Sequence, residues 1–141
     1  MAITQAMCTS FKKELLEAEH DFTADTFYIA LYTSSASMDA DMTAYSSTNE
    51  VSGTGYVAGG KALTVATSTP SSSGTTGFVS FDNISWASST ITARGALIYN
   101  SSKSNKAVAV IDFGADRSSS GTTFTVTFPT ADASSAIIRI S

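Results

Sequence analysis

The sequence predicts a mainly β domain, an antiparallel β-sandwich or jelly-roll-like fold with one N-terminal amphipathic helix. Three observations carry that expectation. From residue 61 onward, short apolar runs alternate with clusters of Ser, Gly, Asn and Pro, the punctuation of an all-β chain. Phe124, Val126 and Phe128 interleave with Thr123, Thr125 and Thr127, the period-two signature of a strand with one buried face. Helical periodicity is confined to the first twenty residues.

In that N-terminal stretch, Ile3, Met7, Phe11, Leu15 and Ala18 recur every three or four residues, so a helix is expected over 1–20. Thr4 is its candidate N-cap, with Ser10 capping a shorter version. Phe27–Tyr32 reads as a strand covered on both faces. A polar connection then runs over residues 34–60. It is longer than a compact domain usually carries, and is expected to be functional or to become ordered by a partner. Further strands are expected at 62–67, 77–81, 90–93, 96–100, 106–113, 122–128 and 136–140, with turns at 69–74, 101–105 and 118–121. The runs 96–100 and 106–113, joined by five polar residues, form the clearest hairpin. No internal repeat or domain boundary interrupts the 141 residues, so one domain, 1–141, is expected.

Composition narrows the function classes. Charged residues make up 14% of the chain, and Ser and Thr together supply about a third of it. Hydroxyl-rich, weakly charged surfaces suit strands, turns and faces covered by neighbours. A net charge of −4, with basic residues scattered except for Lys12-Lys13, opposes nucleic-acid binding. No apolar run approaches the ~20 residues of a membrane-spanning helix, and the first residues lack the pattern of a secretory signal, so the chain is expected to assemble in a cytoplasm. Cys8 is the sole cysteine, which rules out an intrachain disulfide; between Met7 and a helical run it reads as a buried, inert thiol.

Candidate chemistry is sparse. The run Gly55-Tyr-Val-Ala-Gly-Gly-Lys61 imitates a phosphate-binding loop, but Ala62 stands where a magnesium-holding hydroxyl belongs and a strand, not a helix, follows. Asp112-Phe113-Gly114 imitates a kinase tripeptide without the rest of that machinery. His20, the only histidine, is expected to meet the last helical carbonyls. Asp39 and Asp41 lack the further ligands of a calcium loop. Arg94 has Asp112, Asp116 or a partner as possible counterparts. Neither a catalytic residue, nor a cofactor, nor a metal is expected.

Five segments together carry a likeness. Cys8-Thr-Ser-Phe-Lys-Lys-Glu-Leu-Leu, Phe27-Tyr-Ile-Ala-Leu-Tyr-Thr, Glu50-Val-Ser-Gly-Thr-Gly-Tyr-Val-Ala-Gly-Gly, Ile91-Thr-Ala-Arg-Gly-Ala-Leu-Ile-Tyr-Asn and Ala107-Val-Ala-Val-Ile-Asp-Phe-Gly follow in an order that resembles small virion structural proteins of tailed bacteriophages. The likeness implies a particle component. A small β domain with an amphipathic helix, a long loop and few charges makes a non-enzymatic capsid decoration (cement) protein, which stabilises the head by binding between capsid subunits, the expected one; the alternative is a tail, neck or tail-fibre-associated protein that binds a host receptor. It implies localisation in the virion, many copies or a homo-oligomer, and partners among the major capsid protein or other virion proteins, with neither nucleic acid nor membrane. Side chains expected to meet a partner are Met7, Phe11, Leu15, Tyr45, Tyr56, Trp86 and Arg94, although an aromatic of the size of Trp86 is by default a core piece and an interface anchor only when exposed.

Overall fold

In the computed structural model, which describes residues 2–141, the chain forms two antiparallel sheets and one short helix. Chain order is β1 (Ala6–Met7), α1 (Thr9–Leu16), β2 (Phe27–Tyr32), β3 (Lys61–Ala62), β4 (Ser71–Ser73), β5 (Thr76–Val79), β6 (Ile84–Asn100), β7 (Lys106–Val126) and β8 (Ile138–Ile140). The larger sheet has the order β1-β7-β6-β2-β3 and the smaller β4-β5-β8. The arrangement is sandwich-like, with a mainly β fold and one N-terminal helix as expected.

The β6–β7 hairpin is the spine. Its turn places Ser104 and Asn105 at φ 56° and 59°, a left-handed pair that Asn tolerates better than most residues. Pairing runs from Asn100↔Lys106 to Ile84↔Val126. Strands expected separately at 90–93 and 96–100 are therefore one strand, as are 106–113 and 122–128, and the expected turn at 118–121 lies within β7. Register shifts make this continuity possible. Between the pairs Ala93↔Arg117 and Gly95↔Asp112, β6 holds only Arg94 while β7 holds residues 113–116. Gly95 is required there, because a Cβ would lie 2.5 Å from the Ile111 carbonyl oxygen. Farther along, the buried Ser119 hydroxyl donates to the Ser89 carbonyl at 3.0 Å, and the Ser89 hydroxyl donates to the Trp86 carbonyl at 2.9 Å. These hydroxyls satisfy backbone groups that the irregular ladder leaves over.

Strand β2 forms at its expected residues and pairs with β6 from Phe27↔Asn100 to Tyr32↔Gly95. Phe27 stacks on Phe22 at 4.4 Å between centroids, and both rings lie within 6.3 Å of Phe81 beside the smaller sheet. Each such aromatic pair adds about 0.5–1.5 kcal/mol beyond its buried area. The buried residues form one cluster that includes side chains of α1 and both sheets.

Four expectations need correction. The helix covers Thr9–Leu16 and not 1–20, because the residues before it extend: Ala6 and Met7 pair with Val110 and Ala109, and Ile3 bridges Met38. Neither Thr4 nor Ser10 is its cap; Cys8 holds that position without a side-chain cap bond. The expected 69–74 turn is largely the β4–β5 hairpin, tightened around Gly74. Phe11 and Trp86, expected at a partner surface, are 0% and 3% exposed. Phe11 packs against Phe22 and His20, and Trp86 against Tyr56 and Phe124, so burial within the domain removes both from any interface.

Candidate interaction surface

The 34–60 connection is held down by tyrosines around one carboxylate. Glu50, which bridges Tyr32 across from β2, accepts the Tyr45 hydroxyl on Oε1 at 2.6 Å, and on Oε2 the Tyr56 hydroxyl and the Gly59 amide. The Tyr56 hydroxyl also accepts from the Leu31 amide at 2.9 Å. Tyr32 donates to the Ser46 carbonyl and Tyr99 to the Gly59 carbonyl, each at 2.6 Å. Tyr45 stacks on Tyr99 at 4.9 Å. Burial together with Glu50 raises the hydroxyl pKa values of Tyr45 and Tyr56, and burial raises that of Tyr99 to about 12. These bonds fix the segment against β2 and β6 within the chain. Tyr45 and Tyr56 are half-buried pins whose hydroxyls point inward.

The Gly-rich run ends in the same clamp. At Gly60 φ is +81°, and a Cβ there would collide with the Ile29 carbonyl, so glycine serves close packing on β2. Lys61 extends over Trp86 at 5.7 Å and donates to the Ser85 carbonyl. That use of Lys61 matches a cation–π and backbone contact, not phosphate capture.

His20 does not cap the helix carbonyls. Its Nδ1 lies 3.0 Å from the Asn100 amide nitrogen and its Nε2 lies 2.9 Å from Glu14 Oε1. Because Asn100 Oδ1 accepts from the Ser102 amide, its NH2 faces His20, which makes Nδ1 the acceptor and puts the proton on Nε2. The same NH2 donates to Asp25 at 2.8 Å. Burial opposes ionisation of Asp25, but bonds from Asn100 and the Asp21 amide, with Lys103 nearby, hold its pKa below the ordinary value. Cys8 is fully buried, and burial raises its thiol to about 11, leaving little thiolate at neutral pH. Arg94 takes Asp112 as its counterpart at 3.2 Å, and Asp112 also accepts from the Gly114 amide. The Asp41 amide bonds Asp39 Oδ1 in a local turn. Among the described residues, no group of three or more His, Cys, Asp or Glu is placed to hold a metal ion.

Three large apolar side chains stand exposed among the described residues. Leu16 is 91% exposed, Val57 74% and Ile140 55%, while Met7 and Leu15 are half-buried against the core. Of the seven side chains expected at an interface, only Met7, Leu15 and Arg94 retain surface that is not committed to the tyrosine clamp or the core. Leu16 and Val57 escaped the sequence reading, since Leu16 lies off the helical stripe and Val57 sits in a turn without periodicity. No family model, curated protein or solved structure matches the chain.

Proposed function

We propose that the chain is a non-enzymatic structural protein of a tailed-phage virion, and specifically a capsid decoration protein that binds the outside of the head between capsid subunits. The observation carrying this reading is the way the five family-like segments are used. Cys8–Leu16 supplies α1 and its N-cap, Phe27–Tyr32 supplies β2, the segment from Glu50 to Gly60 forms the tyrosine clamp, and the segments beginning at Ile91 and Ala107 build the spine. The resemblance thus lies in residues that make a rigid block, and residues with catalytic potential serve the same end. His20 bonds Glu14 and Asn100, and Cys8 is buried. A rigid block with few charges and isolated exposed apolar side chains suits docking, where binding is lost chiefly to the ordering of mobile segments.

Purified protein mixed with capsids stripped of it, with tails, and with host cells tests the reading. Saturable co-sedimentation with capsids is the expected result. Binding to tails or cells in place of capsids contradicts the decoration role and favours the tail or receptor alternative.

A further inference from the structure

The outer edge of β7 is open for much of its length. On one side β7 pairs with β6 down to Val126, while on the other Ala44 bridges Lys106, the Cys8 amide bonds the Val108 carbonyl and β1 covers Ala109 and Val110. The Gln5 side chain then accepts from the Asp112 amide at 3.2 Å, standing in for one more residue of a partner strand. Past that point no strand among the described residues pairs with this edge.

A groove of about 520 Å³ lies along the open stretch. Every residue from 123 to 129 lines it. Side chains of a strand alternate between faces, so a cavity over one face touches alternate residues. Contact with four successive strand residues, Thr123 to Val126, means that the groove looks onto the strand edge, where the backbone N–H and C=O groups that do not point at β6 lie. An adjoining groove of about 370 Å³ shares Gln5 and Ile137 and continues past β1.

Charge identifies the occupant. Of the three arginines, Arg94 is paired with Asp112. Arg117 lines the first groove and Arg139 the second, and both make only carbonyl contacts, to Phe113 and Ser134. Neither has a carboxylate within ion-pair distance among the described residues, and no Asp or Glu side chain lines either groove. In a chain of net charge −4, Arg117 and Arg139 are the charged side chains that line this trough. Phe113 and Ile137 add apolar lining.

We propose that this trough is a strand-addition site for an extended acidic segment of another protein. The segment pairs with the open β7 edge, places apolar side chains against Phe113 and Ile137, and sets carboxylates against Arg117 and Arg139. Main-chain hydrogen bonds supply affinity in this mode, and side chains supply selection. The inference stands without the virion reading, since it rests on edge geometry and charge alone.

Isotope-labelled full-length protein titrated with a capped seven-residue peptide of alternating Val and Asp tests it by amide chemical shifts, with a Val/Lys peptide of equal length as control. The expected result is perturbation centred on residues 117–129, with the acidic peptide bound about tenfold or more tightly than the basic one. The double variant Arg117→Glu, Arg139→Glu, both positions being exposed, is expected to keep the fold, judged by its unperturbed core resonances, and to invert that preference. Equal binding of the two peptides, perturbation elsewhere, or no perturbation overturns the proposal. So does a shift of the same edge resonances on raising protein concentration alone, because a second copy would then be the occupant.

Discussion

Glu50 is the residue on which the long connection depends. Hydrogen bonds to a charged acceptor contribute about 1.5–3 kcal/mol each, and Glu50 takes three of them from Tyr45, Tyr56 and Gly59. Glu50→Ala is expected to lower unfolding free energy in urea by about 3 kcal/mol. Glu50→Gln is expected to cost less, yet still measurably, because one acceptor oxygen becomes a donor facing donors. Tyr45, Tyr56, Tyr99 and Cys8 add an alkaline signature. Their neutral forms are favoured by the fold, so this stabilisation is complete below the ordinary values of 9.0 for the thiol and 10.0 for the hydroxyls. It declines as pH rises toward the folded values of about 11 for Cys8 and about 12 for Tyr99. Urea midpoints should therefore fall steadily above about pH 9. A midpoint unchanged from about pH 8 to about pH 11 would contradict this. None of the clamp was legible from residue type. Tyr45 and Tyr56 read equally well as surface anchors, and only the fold brings them to one carboxylate.

At the scale of elements, legibility followed the strength of the local signal. Strand β2 and the turn after β6 were plain, because β-branched and aromatic residues and a polar five-residue link are local features. The helix was overextended because Ile3 and Met7 lie at helical spacing from Phe11 yet are buried through β pairing: an apolar residue four positions away satisfies a helix face and a sheet contact equally well. The bulges in β6 and β7 were read as strand ends, since the Ser/Gly-rich stretch at 118–121 has turn composition and becomes strand only through pairing with β6. Glycines give the sharpest test at this scale. Gly60→Ala forces both a positive φ and a Cβ into the Ile29 carbonyl, and is expected to unfold the protein or lower its stability by more than about 3 kcal/mol. Gly74→Ala, with φ +60° but nothing within 4 Å, is expected to cost only about 1–2 kcal/mol. Thermal melts of the two variants side by side check the contrast.

For the molecule as a whole, fold class was readable and strand order was not, because the pairing of β2 with β6 and of β5 with β8 joins segments far apart in sequence. The same block accounts for the proposed role. A domain whose loops are pinned and whose titratable side chains bond one another offers surface, and its exposed apolar points are those of Leu16, Val57 and Ile140. Leu16→Asp is expected to leave stability within about 0.5 kcal/mol while weakening capsid binding several-fold in co-sedimentation. A stability loss without a binding change would assign Leu16 to the fold instead. The most direct measurement for the whole account is the copy number of this chain in purified virions, by quantitative mass spectrometry. On the order of hundreds of copies per particle, as capsid symmetry demands of a shell-covering protein, is the expected result. About six or twelve copies, or none, would contradict it.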